Sequence, residues 1–241
     1  MQALILAGGK GTRLMPFTKT IPKALVPLGD HPILEILLRQ LKSAGVERVV
    51  IAVNYLARLI EAFFGDGSQL GLKVVYSLED EPLGTAGPLR QAGDLGDDFL
   101  VMNGDILTNL DFNGLFRAHR KSGAIASMAI YRLSVKIDLG VINIENDRFA
   151  DYIEKPTYNF TVSTGMYAFN KAVLRYIPEC RKFDMPDLML ALHAAGEKIH
   201  CYSGNFEWLD LGRVEDYEKA IERFEANPGN YLPGGAGQNV P

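Results

Sequence analysis

A glycine-rich segment near the start of the chain has the composition of a phosphate-binding loop. Gly8, Gly9 and Gly11 follow an apolar run, Gln2 to Leu6, that is typical of a buried strand. Backbone amides without side-chain bulk can wrap phosphate oxygens, although such a loop is equally compatible with a tight structural turn. Before the first acid, Asp30, the basic residues are Lys10, Arg13, Lys19 and Lys23. This excess of positive charge suits a nucleotide, or else forms a solvated basic face.

Composition and net charge exclude several classes of protein. The chain has 241 residues, of which 47% are hydrophobic and 22% charged, with a formal net charge of -4. These values indicate a globular protein and argue against a nucleic-acid partner. The apolar runs are shorter than the roughly 18 to 20 residues that a bilayer span requires, so no membrane partner is expected. The first residues lack the features of a signal peptide, which predicts a cytoplasmic location.

Several familiar catalytic templates do not fit the sequence. The lysine of the glycine loop is followed by Gly11 and not by Ser or Thr, and Leu14 stands where a dinucleotide fingerprint needs a small residue. No pair of histidines has the spacing of a metalloprotease, and no nucleophile elbow of a hydrolase is present. Cys180 and Cys201 are far apart without metal-like spacing, so we expect both thiols in the core.

Strand and helix signals alternate through the first half of the chain. The predicted strands are Gln2–Leu6, Arg48–Val53, Lys73–Ser77 and Phe99–Asn103, and the predicted helices are Pro32–Ala44, Leu56–Phe64, Thr85–Ala92 and Phe112–Ser122. This alternation is typical of a parallel sheet covered by helices on both faces. Ligands of such sheets gather beyond the carboxyl ends of the strands, here after Leu6, Ser77 and Asn103.

The second half is richer in strands. Strands are predicted at Ala124–Arg132, Val141–Ile144, Phe149–Ile153, Val162–Phe169 and Trp208–Leu211, and helices at Pro186–Ala195 and Glu215–Glu225. Because few helices separate these strands, we expect an antiparallel or mixed extension of the same sheet. The sequence thus predicts an α/β fold, a Rossmann-like three-layer mixed sheet, in one domain spanning residues 1–226. Residues 227–241, rich in Gly, Pro and Asn, are expected to form a flexible tail.

Six motifs extend over nearly the whole chain. The first is Leu6-Ala7-Gly8-Gly9-x-Gly11-Thr12-Arg13-Leu14-x-Pro16-x-Thr18 with Pro22-Lys23, and the others are Glu81 to Gly87, Asn103-Gly104-Asp105, Glu154-Lys155-Pro156, Ser163-Thr164-Gly165 and Trp208 to Gly212. In this order they closely resemble the signature of the sugar nucleotidylyltransferases, or nucleotide-sugar pyrophosphorylases. The likeness is greatest to the mannose-1-phosphate and heptose 1-phosphate guanylyltransferases. It implies the nucleotide-diphospho-sugar transferase type of fold.

The resemblance implies a Mg²⁺-dependent reaction in which a sugar 1-phosphate attacks the α-phosphorus of a nucleoside triphosphate and pyrophosphate leaves. This chemistry rests on positioning and charge neutralisation. By resemblance, Arg13 contacts the triphosphate, and Lys23 and Lys155 hold the sugar 1-phosphate and the α-phosphate. Asp105 and Asp210 would bind Mg²⁺, and Arg13, Lys23 and Asp105 form the catalytic set. Taken singly, Asp105 fits a turn and Asp210 a helix cap equally well.

The resemblance also implies a nucleotide site. Its residues are Leu6, Ala7, Gly8, Gly9, Gly11, Thr12, Arg13, Glu79, Pro82, Gly84 and Thr85. Glu79 would face the edge of the base, where a carboxylate accepts hydrogen bonds from the N1-H and amino donors of guanine. Uracil and thymine, with one imide donor, fit it less well, so GTP is the favoured substrate. Alternatively, Glu79, Asp80 and Glu81 form a solvated acidic turn.

The sugar site is less well defined by the sequence. The residues implied by the resemblance are Lys23, Asn103, Gly104, Gly140, Glu154, Lys155, Ser163, Thr164 and Gly165. Glu154 would accept hydrogen bonds from sugar hydroxyls, and the glycines would offer close backbone surfaces. Asp138-Leu139 stands where an aromatic residue often precedes Gly140, which weakens any transfer of substrate identity. Mannose 1-phosphate or a related hexose or heptose phosphate is the leading acceptor.

Two other functions remain open. A uridylyl- or thymidylyltransferase would use the same chemistry on another sugar 1-phosphate. A non-catalytic nucleotide-sugar-binding regulatory subunit would keep the fold without the reaction. Retention of Arg13, Lys23, Asp105, Lys155 and Asp210 disfavours the regulatory subunit, because binding alone does not require all these charges. A homodimer is the assembly that the resemblance suggests, and control through a C-terminal β-helix domain is not expected.

Overall fold

The computed structural model of the chain describes residues 1–9, 11–15, 17–179 and 181–233. The strands are β1 (Gln2–Leu6), β2 (Pro27–Leu28), β3 (His31–Pro32), β4 (Arg48–Val53), β5 (Lys73–Leu78), β6 (Asp98–Asn103), β7 (Ile106–Thr108), β8 (Ala126–Lys136), β9 (Val141–Glu145), β10 (Arg148–Ile153), β11 (Thr157–Asn170), β12 (Ile199–Tyr202) and β13 (Trp208–Asp210). The α-helices are α1 (Ile33–Ser43), α2 (Ala57–Phe64), α3 (Pro88–Gln91), α4 (Phe112–Ser122), α5 (Met185–Ala194) and α6 (Val214–Ala226). Short 3₁₀ helices cover Thr12–Leu14, Phe17–Lys19, Lys23–Leu25, Ser68–Leu70, Lys171–Tyr176 and Pro228–Asn230.

A seven-stranded sheet in the order β12-β8-β11-β6-β1-β4-β5 forms the centre of the molecule. Strands β6, β1, β4 and β5 are parallel to one another. Strand β11 is antiparallel to both of its neighbours, whereas β12 runs parallel to β8. The predicted mixed sheet is therefore confirmed, with its parallel half in the first part of the chain.

Both faces of the sheet are covered by helices. On β4, Val49 and Ile51 belong to one buried cluster, and Val50 and Ala52 belong to another on the opposite face. The first cluster contains residues of α1, α2 and α4, and the second contains residues of α3 and α5. A strand buried on both faces reads as a continuous apolar run, which is why the parallel strands were recognisable in the sequence.

Several predicted elements have different limits in the structure, and β11 and α3 show why. Strand β11 begins at Thr157 and extends over 14 residues, because its exposed first half pairs with the equally exposed end of β8. Helix α3 begins only at Pro88. The preceding amides of Ala86 and Gly87 donate to the carbonyl of Phe183, at 2.9 and 3.1 Å, so they are held by a distant segment and not by a helix.

The sequence analysis missed four short strands, β2, β3, β7 and β12. Strand β7 pairs with β13 in a separate two-stranded sheet, and β12 forms the edge of the main sheet beside β8. Cys201 lies on β12 and is exposed, so the prediction of a core thiol is wrong for this residue. Cys180 lies outside the described residues. Among the helices of the described ranges, none has the length and apolar character of a membrane span.

The first residues of the predicted tail are packed against the domain. Tyr231 is 2% exposed, and its ring lies 6.0 Å from that of Phe224 in α6. Gln40 of α1 also donates a hydrogen bond of 2.8 Å to the carbonyl of Tyr231. Tyr231, inside the segment predicted as a flexible tail, therefore packs against the domain. Residues 234–241 lie outside the described part of the chain.

A buried histidine predicts that the fold loses stability in acid. His119 of α4 is 2% exposed, and its Nδ1 lies 2.9 Å from the Ser127 hydroxyl. Burial lowers the pKa of His119, an effect opposed by Asp98 and reinforced by His200. Below the ordinary value of 6.5, the unfolded chain binds more protons than the folded one. We therefore expect the free energy of unfolding to fall below this pH, by at most about 1.4 kcal/mol per pH unit from this group.

Urea unfolding between pH 7.5 and 5.5 measures this effect. The His119→Gln variant is expected to have a shallower pH dependence than the unchanged protein. The matched control is His193→Gln, because His193 is exposed on α5 and its replacement should leave the slope unchanged. Equal slopes in the unchanged protein and His119→Gln would contradict the prediction.

Candidate active site

The glycine loop after β1 is closed by a buried threonine. The Thr18 hydroxyl donates a 2.7 Å hydrogen bond to the carbonyl of Gly11, and Thr18 is 2% exposed. Gly11 has a φ of +61°, and a β-carbon there would lie 2.9 Å from Thr18 and 3.2 Å from the β-carbon of Lys23. Only glycine allows this close approach. The loop therefore packs directly on Thr18 and Lys23.

Lys23 forms an ion pair with one of the two predicted metal-binding aspartates. Its Nζ contacts Oδ2 of Asp105, and the Lys23 side chain is 10% exposed. Asp105 lies between β6 and β7, immediately beyond the carboxyl end of a central strand. The end of the first motif, at Lys23, is thus joined to the third motif, at Asp105, across 82 residues of sequence.

The second aspartate reaches the same place through the small β7–β13 sheet. In that sheet Asp210 is paired with Ile106, the residue after Asp105. The amide of Leu211 also donates a 3.0 Å hydrogen bond to the carbonyl of Asp105. Antiparallel pairing of two very short strands therefore brings the two carboxylates together.

Arg13 completes a cluster of four charges. Its guanidinium lies against Gly212, 3.3 Å from the position that a β-carbon of Gly212 would occupy. Burial, and next the charge of Asp105, raise the pKa of Asp210, whereas Lys23 and Arg13 lower it. Arg13, Lys23, Asp105 and Asp210 therefore interact electrostatically, and we refer to them as the charge cluster.

The two carboxylates of the charge cluster fit a hard divalent cation. Within the described residues, no group of three or more His, Cys, Asp or Glu side chains is arranged to bind a metal. Mg²⁺ does not require such a group, since it usually keeps several waters and binds one or two carboxylates together with substrate phosphates. Burial is the largest cause of the raised pKa of Asp210, and repulsion from Asp105 is the next, which a bound cation would relieve.

Of the two simpler roles, a helix cap for Asp210 and a turn for Asp105, the structure has only the turn. The N-cap of α6 is Arg213, so Asp210 does not cap that helix. Gly104 and Asp105 do connect two strands, and the Gly104 amide donates a 2.9 Å hydrogen bond to the carbonyl of Leu6. The turn is real, and it places Asp105 at the carboxyl end of β1.

A cavity of about 310 Å³ lies beside the charge cluster. Its lining residues are Leu6, Gly8, Gly9, Asn54, Glu79, Pro82, Gly84, Thr85, Asn103 and Asp105. The cavity thus joins the glycine loop, the segment from Glu79 to Thr85 and the third motif. The other predicted nucleotide residues, Ala7, Gly11, Thr12 and Arg13, belong to the same glycine loop but are not among the described residues that line it.

Glu79 is a buried carboxylate and not part of a solvated turn. It is 7% exposed, and its Oε2 accepts a 3.0 Å hydrogen bond from the Leu83 amide. Burial raises the pKa of Glu79, and the hydrogen bond from Leu83 partly offsets this. Its Oε1 lies over Gly8, 3.0 Å from the position of a β-carbon there. The carboxylate is therefore held between the two loops that line the cavity.

The segment after Glu79 is held by the start of α5. The Thr85 amide donates a 3.0 Å hydrogen bond to Oδ1 of Asp184, and the Thr85 hydroxyl accepts one of 2.7 Å from the Met185 amide. The Phe183 amide bonds the carbonyl of Leu83 at 2.9 Å. These contacts fix the segment against the sheet, so this wall of the cavity is preformed.

Two residues of this region were missed by the sequence analysis. Asn54 lines the cavity, and its Nδ2 donates a 2.7 Å hydrogen bond to the carbonyl of Glu79. A signal was available for Asn54, because it is a polar residue directly after β4, at the carboxyl end of a parallel strand. Asp184 had no such signal, since its partner Thr85 is 99 residues away.

Part of the predicted sugar site lies at the end of β6. The register of β11 against β8 shifts between Ser163 and Tyr167, which places an irregularity at the fifth motif. Within it, the Trp208 indole donates a 2.9 Å hydrogen bond to the carbonyl of Thr164, and Gly165 packs against the Asn103 amide. Asn103 and the segment from Ser163 to Gly165 are therefore brought together.

The remaining predicted sugar residues flank the β9–β10 hairpin, with Gly140 before β9, and Glu154 and Lys155 after β10. The Tyr152 hydroxyl donates a 2.9 Å hydrogen bond to Oε2 of Glu154 and lies against Gly140. Lys155 is exposed and has a φ of +46°. In the described part of the chain, neither Glu154 nor Lys155 has a hydrogen bond or ion pair with the charge cluster.

Comparisons with known proteins agree with this geometry. The family model described as "Nucleotidyl transferase" matches residues 2–227. The chain is 36% identical over 226 residues to the mannose-1-phosphate guanylyltransferase of Mycobacterium tuberculosis, covering 90% of this chain. It is 34% identical over 242 residues to the UTP–glucose-1-phosphate uridylyltransferase of Synechocystis, covering 92% of this chain. The chain spans 62% of the length of each of these two relatives.

Solved structures show the same fold. HddC from Yersinia pseudotuberculosis matches with a TM-score of 0.71 and 26% identity, covering 92% of this chain and 99% of that one. A putative glucose-1-phosphate thymidylyltransferase from Bacillus anthracis matches with a TM-score of 0.74 at 22% identity, covering 99% of this chain and 98% of that one. The predicted nucleotide-diphospho-sugar transferase fold is therefore confirmed. Because the family model extends over nearly all strands and helices that build the site, the chain belongs to the nucleotidyl transferase family.

Proposed function

We propose that this chain transfers a nucleoside monophosphate from a nucleoside triphosphate to a sugar 1-phosphate. The observation that carries the proposal is that the charge cluster adjoins the cavity. Asp105 pairs with Lys23 in the cluster and also lines the cavity. Two polyanions repel each other, so their reaction requires a place where fixed cations and a metal site adjoin a nucleotide pocket. Family membership supports the same reaction class.

In this reaction, an oxygen of the sugar 1-phosphate forms a bond to the α-phosphorus. The bond from that phosphorus to the bridging oxygen of the β-phosphate breaks, and pyrophosphate leaves with the bonding electrons. Arg13 contacts the triphosphate and neutralises charge on the leaving group, for which its planar, permanently charged fork is suited. Lys23 and Lys155 hold the sugar 1-phosphate and the α-phosphate as compact point charges, Lys23 from its place beside Asp105.

We further propose Mg²⁺ as the cation held by Asp105 and Asp210. When bound there with substrate phosphates, it would neutralise charge that develops in the transition state. Lys23 contacts Asp105 and would orient this carboxylate for metal binding. The chemistry of the donor set, two hard oxygens beside two basic side chains, supports a phosphate-bound divalent metal.

GTP is the proposed nucleotide, since Glu79 offers an acceptor surface for two donors of the base. Its buried position between the glycine loop and Leu83 supports a role at the cavity wall. Among similar proteins, one is named a mannose-1-phosphate guanylyltransferase, and HddC has been solved in complex with GMP-PN. Another relative is named a uridylyltransferase, so uridylyl or thymidylyl transfer is the alternative.

The base preference can be tested at Glu79. In Glu79→Gln, an amide donor replaces one acceptor oxygen, so guanine would face an unpaired donor. We expect the ratio of kcat/KM for GTP to that for UTP to fall by about 10-fold, the cost of one unpaired buried polar group. Glu81→Gln is the matched control, because Glu81 is exposed on the same segment. An unchanged ratio in Glu79→Gln would remove the carboxylate from base recognition.

The proposed activity is tested by a matrix of pyrophosphate release. GTP, UTP, dTTP, ATP and CTP are each combined with mannose, glucose and heptose 1-phosphates in the presence of Mg²⁺. We expect release with GTP and mannose 1-phosphate or a related acceptor. Nucleotide-sugar binding without release in any combination would favour a regulatory subunit and contradict the proposal.

A cytoplasmic location and a homodimeric assembly also remain predictions.

A further inference from the structure

The hydroxyl of Tyr152 occupies the space above Gly140. Tyr152 lies on β10 opposite Ile142 of β9, and Gly140 precedes Ile142 by two residues. A β-carbon built on Gly140 would overlap this hydroxyl, so glycine at position 140 leaves room for the hydroxyl where it lies. The close backbone surface that was expected to meet the sugar is therefore covered by a phenol.

The same hydroxyl also holds Glu154. It donates a 2.9 Å hydrogen bond to Oε2, which leaves Oε1 of the carboxylate as an acceptor. The phenol oxygen itself retains acceptor capacity. Tyr152 is 51% exposed, so this contact lies at the surface and is not part of a packed core. One phenol thus joins the two hairpin residues, Gly140 and Glu154, that were assigned to the sugar.

We propose that Tyr152 is a positioning residue for the sugar of the sugar 1-phosphate. It orients Glu154 so that the free oxygen of that carboxylate accepts a hydrogen bond from a sugar hydroxyl. This inference rests on the proposed nucleotidylyl transfer and on the sugar contact that the resemblance implies for Glu154.

The test is Tyr152→Phe, which keeps the ring and removes only the hydroxyl. With GTP and mannose 1-phosphate, or the acceptor with the highest rate in the matrix, we expect the KM for the sugar phosphate to rise about 10-fold, as for a lost hydrogen bond to a charged group. The kcat and the KM for the nucleotide should change less than about twofold, since these phosphates are held by the charge cluster. Tyr158→Phe, which removes a phenol hydroxyl from β11, is the matched control and should leave all three unchanged.

A double-mutant cycle separates positioning from a direct or structural role. In a Glu154→Ala background, Tyr152→Phe is expected to raise the KM no further, because the hydroxyl acts through the carboxylate. If the effects of the two substitutions on the KM for the sugar phosphate were fully additive, the Tyr152 hydroxyl would not act through Glu154, and the inference would be overturned. An unchanged or lower sugar KM in Tyr152→Phe, in an active enzyme, would overturn the inference while leaving the proposed function intact. Absence of pyrophosphate release from the unchanged protein would overturn both.

Discussion

Replacing Arg13 with alanine is expected to slow turnover by roughly 100-fold or more, the scale found when one preorganised charge-stabilising donor is removed. Arg13 lies against Gly212 at the edge of the charge cluster, and its charge influences Asp210. Without it, the charge that builds up on the departing pyrophosphate would be left to solvent. The side chain is exposed, so the change should have little effect on folding. Pyrophosphate release under saturating substrates measures the loss.

Two further variants sharpen this experiment. Arg13→Lys keeps the charge but loses the planar fork, so we expect an intermediate rate. Arg58→Ala removes an exposed arginine from α2, outside the cluster, and should retain the full rate. Turnover close to normal in a folded Arg13→Ala protein would refute the role given to this residue. A thermal melt of each variant checks that the fold is retained.

Asp105→Asn is expected to raise the half-saturating Mg²⁺ concentration by at least about 10-fold, comparable to the loss when a metal site loses an oriented partner. The substitution removes one of two carboxylates and leaves Lys23 without its ion-pair partner. Asparagine keeps the size of the side chain, so the β6–β7 connection should be preserved. The measurement is a titration of the initial rate with Mg²⁺ at fixed concentrations of nucleotide and sugar phosphate.

The matched control for this change is Asp216→Asn. Asp216 also raises the pKa of Asp210 by its charge, but it lies in the first turn of α6. A general electrostatic effect would shift the Mg²⁺ titration in both variants, whereas loss of a ligand would shift it only in Asp105→Asn. An unchanged titration in Asp105→Asn would place the metal elsewhere.

The parallel half of the fold was readable from the sequence because its strands are buried on both faces. Arg48–Val53 was predicted with the limits that the structure has, since its residues pack into cores on both sides. The exposed start of β11 was missed for the opposite reason. Residues 157–161 are exposed, and their strand forms by pairing with the end of β8.

The candidate site follows the same distinction. Residue types and their order along the chain were sufficient to indicate a phosphate-binding loop, an aspartate after β6 and the family resemblance. Local sequence also offered Asn54, whose place after β4 was overlooked. It offered nothing for Asp184 or Tyr152, because each acts through a partner whose position depends on the folded chain.

The sequence alone was sufficient to predict binding of phosphates and a divalent metal. Glycine-loop amides, basic side chains and carboxylates bind these groups in any fold that brings them together. Whether they meet depends on contacts between distant segments: Lys23 reaches Asp105 across 82 residues, and Asp210 arrives only through the pairing of β13 with β7. Only the tertiary structure also revealed that Glu79 is buried and that a phenol covers Gly140. The physical reason is that pKa shifts and side-chain orientation depend on neighbours in space, which the order of residues along the chain does not specify.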